Sequence, residues 1–338
     1  MTESDFKAAE NSPAQDEKIR VVFMGSSDFA VAALQALARD DRYLITLAAV
    51  QPDRPNSRGK KIVPLPVKKA AEELGIPVYQ PEHISAEGEA LLKSQNADLF
   101  IVCAYGQILK QNILDIPKYG CLNIHGSLLP HLRGAAPVHR AILAGDKRSG
   151  VTIMKLDAGM DTGDMLSKAE TEITETTTVG ELHDRLADLG AELLIRTIPE
   201  YIEGKITPVP QDEALADYAD KIEKSEGCID WSRTSEEIIR RINATDPFPG
   251  AFTTISDHDK LKKMKVFTPS ACTSAGEPDL QPGTVVNADQ KGGLVIKTGD
   301  GSVQIGEVQM PGRKRMKTSD YFKGNSIATG TILGAQQA

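Results

Sequence analysis

Apolar, β-branched runs alternate with helix-length stretches over the first 200 residues, and the spacing then shortens. IRVVFMG (19–25) predicts a buried strand ending at a glycine. FAVAALQALARD (29–40) predicts a helix with Leu34, Leu37 and Ala38 on one face, and YLITLAAV (43–50) a second buried strand. Strand–helix–strand is the opening of a doubly wound parallel sheet. Its first turn, GSSDFA, lacks the GxGxxG dinucleotide fingerprint. VKKAAEELG (67–75) predicts a helix stopped by Gly75. DLFIVCAY (98–105), CLNIH (121–125) and GVTIMKLD (150–157) predict a third, fourth and fifth strand, and MLSKAETEI (165–173) continues in extended form. At Thr178 a capping box with Glu181 opens a helix striped by Leu182, Leu186, Leu189 and Leu193, which Gly204 ends. The mixed, proline-containing stretch after it predicts a linker. Then come a short helix, SEEIIRRINAT, and the β-like pieces AFTTI, KMKVFT, GTVVNA and GLVIKTGDGSVQIGEVQM. Their glycine-punctuated spacing predicts a small antiparallel barrel with a hairpin at KTGDGS.

Length and composition narrow the picture. A chain of 338 residues with 40% apolar content supports two cored domains. No run of 18 apolar residues predicts a membrane span. The first 18 residues carry Glu3, Asp5, Glu10, Asp16 and Glu17, unlike a secretory or transit peptide, and are expected to be a disordered tail. The four cysteines, Cys103, Cys121, Cys228 and Cys272, form no CxxC pair and read as free thiols of a reducing compartment. Net charge is −8, but residues 1–220 carry −10 and residues 221–338 carry +2. The second half holds two basic clusters, KLKKMK (260–265) and GRKRMK (312–317). Local patches steer a polyanion more than net charge does, although either run alone also reads as a solvated loop.

Candidate chemistry lies in three places. QPDRPNSRGKKIVPLP (51–66) follows the second strand. Rich in proline and basic residues, it is expected to be a long surface loop at the carboxyl edge of the sheet, where open α/β sheets place their sites. In CLNIH, positions i and i+2 share a face, so Asn123 and His125 point together at the end of their strand. A carboxamide N–H beside an imidazole N–H can hold an oxyanion formed at an attacked carbonyl; the alternative is a polar pair capping a buried strand. LDAGMDTGD (156–164) then packs three acids into a glycine-rich loop after the next strand. An acid there can orient an imidazole or relay a proton. A plain solvated turn is the alternative; EF-hand spacing is not met. Asn, His and acid at successive strand ends suit a general acid–base site.

These residues carry a resemblance. LNIHGSLLPHLRGAAP (122–137) with GVTIMKLDAGMDTGDML (150–166) resembles the folate-dependent formyltransferases. VVFMGSSDFA, QPDRPNSRGKK, IVCAYGQIL and YADKIEKSEGCIDW extend the match from about residue 19 to near 325. The chain is most similar to members acting on methionyl initiator tRNA. The resemblance implies an α/β fold: a Rossmann-like, doubly wound, mostly parallel sheet with a second, smaller OB-like β-barrel domain. The expected divisions are a tail (1–18), a catalytic domain (19–205), a linker (206–223) and a tRNA-binding domain (224–338). By the resemblance Asn123, His125 and Asp161 are the catalytic residues, and Ser127, Leu128, Leu129 and Pro130 the loop against which folate lies. Arg58, Lys60 and Lys61 of the long loop, with Lys262 and Lys263, are expected to contact tRNA. His131 and Leu132 depart from the family pattern, which has a basic residue and an aromatic there. The implied co-substrate is 10-formyltetrahydrofolate, without a metal; a cytoplasmic monomer is expected. One rival keeps the chemistry and takes an amino-sugar nucleotide or glycinamide ribonucleotide as acceptor; another is the hydrolase part of a formyltetrahydrofolate dehydrogenase. A third is a non-catalytic RNA-binding protein, which the 5% aromatic content and the lack of a stacking strand disfavour.

Overall fold

The computed structural model describes residues 18–54, 62–257, 260–272 and 279–334. The tail through residue 17 and Arg58, Lys60 and Lys61 lie outside the described residues. By mutual contacts the chain forms two units. The first takes the chain up to Arg133, Gly150–Ala169 and Arg185–Ala216; the second takes Gly134–Ser149, Glu170–Asp184 and the chain from Asp217 on.

A seven-stranded sheet is built from β1 (Ile19–Gly25), β2 (Tyr43–Ala49), β3 (Val78–Tyr79), β4 (Leu99–Cys103), β5 (Cys121–His125), β6 (Arg148–Lys155) and β7 (Met165–Glu172). Their order is β3-β2-β1-β4-β5-β6-β7. β1 pairs in parallel with β2 and β4, and β4 with β5. This is the Rossmann-like, doubly wound arrangement that the alternating pattern implies. Every residue of β4 and β5 is buried, as expected of central parallel strands covered on both faces. Val22, Met24, Leu47, Ala49, Phe100 and Val102 share one core. A side chain at Gly25 would put its Cβ 2.9 Å from the Cys103 carbonyl oxygen, so the first turn needs glycine for close approach, not for a dinucleotide.

Two details differ from the sequence expectation. The first helix, α1 (Val31–Arg39), is preceded by a 3₁₀ turn at Asp28–Ala30 and buries Ala33, Leu34 and Leu37, while Ala38 is exposed. The fifth predicted strand, β6, runs antiparallel to β5: His125 pairs with Thr152, and Leu122 with Lys155. The acidic loop therefore leaves β6 at the edge where β5 begins, not at the edge that carries His125, and folds back to reach it.

In the second unit β8 (Phe252–Asp257), β9 (Lys260–Cys272), β10 (Val285–Asp289), β11 (Gly293–Lys297), β12 (Ser302–Gln309) and β13 (Met316–Lys317) form an antiparallel sheet. Its order is β8-β9-β12-β11-β10, with β13 on β12. The segment 331–334 bridges the two ends. Gly334 N–H donates to the Thr254 carbonyl of β8, and Leu333 N–H to that of Gly283, ahead of β10. This closure yields the OB-like barrel. Trp231, Ile238, Ile242, Met264, Val266, Leu294, Ile296, Val303 and Ile305 fill it. The indole N–H of Trp231 donates to Thr253 Oγ1 at 3.0 Å.

Candidate active site

β5 brings Asn123 and His125 to one face, both more than nine-tenths buried (8% and 6% exposed). The two differ in how they are held. His125 Nε2 lies 2.9 Å from the Leu132 carbonyl oxygen, which can only accept, so that nitrogen carries a proton. Its Nδ1 lies 3.6 Å from Asp161 Oδ1, within ion-pair range but long for a hydrogen bond. The Asn123 carboxamide makes no hydrogen bond to any described residue. Its polar atoms are not among the fully buried unpartnered ones, so the amide still meets solvent and is open to a ligand.

Both groups flanking the imidazole have unusual backbones. Leu132 has φ 58° and Asp161 φ 56°, the left-handed region that non-glycine residues seldom occupy. Such conformers cost about 1–3 kcal/mol and persist where surrounding bonds over-determine them. On the Leu132 side the loop after β5 is tied twice to β6. Thr152 Oγ1 donates to the Ser127 carbonyl at 2.7 Å and accepts from Leu129 N–H at 3.1 Å. Ser127 Oγ donates to the His131 carbonyl at 2.6 Å, and Lys168 donates to that of Leu129. The positions that depart from the family pattern thus contribute through backbone carbonyls: His131 to Ser127, Leu132 to His125.

On the Asp161 side the carboxylate is 18% exposed. Thr162 Oγ1 donates to Asp157 at 2.8 and 2.9 Å, closing the turn. So of the three acids in this loop Asp161 faces His125, while Asp157 serves the turn itself.

Of the four residues expected to meet folate, Ser127 and Leu129 are buried within the protein (2% and 0% exposed); Leu128 and Pro130 are half-buried. Of the residues expected to contact tRNA, Lys262 and Lys263 are both exposed. In the second unit Lys262 lines a cavity of about 600 Å³ with Arg313, Lys314, Met310, Met316 and Tyr321. The two basic clusters therefore converge there. Lys263 sits 4.4 Å from the Phe252 ring centroid. Arg315 of the second cluster is consumed internally: it forks onto Asp246 at 2.9 and 3.0 Å, reaches Glu307 at 2.7 Å, and stacks 4.0 Å from the Phe267 ring.

Sequence reading missed Thr152, Lys168, Arg133, Gln211 and Glu213. A polar residue within the apolar run GVTIMK was the signal for Thr152. The others are single polar residues in ordinary surroundings. Burial pushes the Cys121 thiol up to about 12, and the Cys103 thiol is raised for the same reason, so neither serves as a nucleophile near neutral pH. Among the described residues no group of three or more His, Cys, Asp or Glu is placed to hold a metal ion, and no helix is long and apolar enough to cross a membrane.

A Rossmann-like sheet with an Asn–His–Asp cluster on one face, followed by a small barrel, meets a known family in both parts. Residues 17–198 match the formyl transferase family model and residues 221–326 the model of the formyl transferase C-terminal domain. The chain belongs to the formyl transferase family. Within it, the chain is 44% identical to the methionyl-tRNA formyltransferase of Bacillus velezensis, over 93% of this chain and 98% of that one. It is 43% identical to the methionyl-tRNA formyltransferase of Ruminiclostridium cellulolyticum, over 94% of this chain and all of the other. Among solved structures, the sugar 3N-formyl transferase WlaRD, crystallised with dTDP and 5-N-formyl-THF, shares the fold at a TM-score of 0.61 and 18% identity, covering 88% of this chain and 99% of that one.

Proposed function

We propose that this protein transfers a formyl group from 10-formyltetrahydrofolate to the amino group of methionyl initiator tRNA. The observation that carries the chemistry is the carboxamide of Asn123, without a hydrogen bond to any described residue, beside an imidazole set between Leu132 and Asp161. The acceptor is inferred from the relatives at 43–44% identity, each named for methionyl-tRNA.

When bound, the folate supplies the formyl carbon that the methionyl amine attacks. Asn123 donates its free N–H to the formyl oxygen as negative charge grows there, a role worth about 100- to 1,000-fold in rate. His125 shares that charge by turning its Nε2–H from the Leu132 carbonyl to the formyl oxygen, one acceptor exchanged for another. Asp161, beside the ring, receives the proton released by the amine; as the tetrahedral adduct collapses, the bond from the formyl carbon to the folate nitrogen breaks and that nitrogen takes the proton, leaving tetrahydrofolate. Burial of Asn123 and His125 makes their polar contacts stronger than they are in water. Arg58, Lys60, Lys61, Lys262 and Lys263 engage the phosphates of the tRNA, the last two from the barrel domain, and the folate lies along residues 127–130. The protein acts as a monomer in the cytoplasm, and the domain divisions are those expected above.

The test is formyl transfer from 10-formyltetrahydrofolate with methionyl initiator tRNA, elongator methionyl-tRNA and amino-sugar nucleotides as parallel acceptors. Selective formylation of the initiator is expected. Transfer to a sugar alone would keep the chemistry and reject the tRNA.

A further inference from the structure

We infer that Gln211 is a positioning residue for the reaction, acting through Asp161 and braced by a buried Arg133. The inference rests on the assignment of Asp161 to the active site. Gln211 lies fifty residues beyond Asp161, in a stretch whose sequence reads only as linker. Its Nε2 donates to the carbonyls of Asp161 at 2.7 Å and Gly163 at 2.8 Å, so both amide hydrogens are spent on the acidic loop. Its Oε1 accepts from Arg133 Nε at 2.9 Å. Arginine has donors only, which fixes the orientation of the carboxamide: the oxygen must face Arg133 and the nitrogen the two carbonyls.

Arg133 is fully buried, the largest such side chain among the described residues. Its terminal nitrogens fork onto Glu213 at 2.9 and 2.7 Å, the bidentate geometry of a strong pair. This hydrogen bonding holds the Glu213 carboxyl below its ordinary range. Arg133 is also the residue after Leu132, so anchoring its side chain steadies the peptide group whose carbonyl meets His125 Nε2. One polar chain, Glu213–Arg133–Gln211, therefore reaches both groups that flank the imidazole. It holds Asp161 by its own carbonyl in a left-handed conformation that the residue would not otherwise prefer. A cation buried in this position is expensive for packing alone.

The test uses the full chain with 10-formyltetrahydrofolate and methionyl initiator tRNA. Gln211→Glu keeps length and the partner of Arg133 but turns an acceptor toward two carbonyls. Gln211→Met keeps volume and removes both donors. Each is expected to lower kcat by roughly 100-fold, the effect of a misplacement of about 1 Å in a reacting group. KM for both substrates should stay within about twofold. In an Asp161→Asn background the same changes are expected to cause little further loss, because Gln211 acts through Asp161. Unchanged kcat in both variants, with Asp161→Asn impaired, overturns the inference and leaves the active site standing. Losses at 161 and 211 that multiply in full also overturn it, since the two then act separately. Full activity of Asp161→Asn removes the site assignment, and the inference with it. Thermal melts of each variant separate misfolding from misplacement, and Gln211→Met is read if Gln211→Glu does not fold.

Discussion

At the scale of single residues, Asn123 and His125 are neighbours on one face with different supports. His125 has an acceptor near each ring nitrogen, whereas the Asn123 side chain has no hydrogen-bond partner among the described residues. Removing Asn123 thus takes away no internal hydrogen bond. Asn123→Ala is expected to reduce kcat about 100- to 1,000-fold with a Tm close to the parent's, measured by single-turnover formylation and a thermal melt. A large fall in Tm with modest loss of rate would make Asn123 a structural group. Gly163 shows the opposite balance: a Cβ there would run into the carbonyl of Lys155, which pairs with the start of β5. Gly163→Ala is expected to lower both Tm and activity, since the backbone must shift in the loop that carries Asp161. The Asn–His pair was legible because residues i and i+2 of a strand share a face. Asp161 was legible as an acid in the right loop. Which of its three acids faces the imidazole was not, because that depends on a left-handed turn and on Gln211.

At the scale of elements, strands and helices were mostly readable, and their directions were not. The antiparallel run of β6 has no local signature: its apolar content suits a buried strand of either direction. The stretch between β5 and β6 holds a helix of eight residues, Pro137–Ala144, and is long enough for a crossover of either direction, so its length does not announce the reversal either. In the second unit that helix is tied by Arg140 to Glu226 at 2.7 and 3.1 Å. Hydrogen bonding from Arg140 holds the Glu226 carboxyl below its ordinary range. A depressed carboxylate stabilises the folded state fully above its unfolded pKa of about 4.3, and that contribution disappears as pH falls through the lower, folded value. The parent is therefore expected to exceed Glu226→Gln in Tm at pH 7, with the gap closing as the solution is acidified below pH 4. A gap that is constant with pH would assign it to packing.

At the scale of the molecule, charge is divided as the chain is. Lys262, Arg313 and Lys314 line one cavity of the barrel unit, although about fifty residues separate the clusters they come from. Each one neutralised is expected to reduce the slope of log affinity against log salt for methionyl initiator tRNA by about one. Filter binding of Lys262→Ala, Arg313→Ala and Lys314→Ala from low to moderate salt measures this. Arg315→Ala is the control. Its guanidinium is already engaged by Asp246, Glu307 and Phe267, so it should lower stability and leave the slope unchanged. An equal change of slope in all four would show that the cluster acts through charge alone, regardless of internal pairing.

What the sequence by itself determined is local. Apolar runs, helical stripes, a capping box and glycine stops are set by a few residues, so they survive reading in one dimension. They yielded the α/β sheet, the barrel and the shared face of Asn123 and His125, and long motifs carried the family. What only the tertiary structure decided joins distant segments: the reversal of β6, the return of Asp161 to His125, closure of the barrel by residues 331–334, and the bond from Arg133 to Gln211, 78 residues away. Each of these is a choice among partners of the same chemistry, and burial and hydrogen-bond satisfaction make that choice only once the chain is folded.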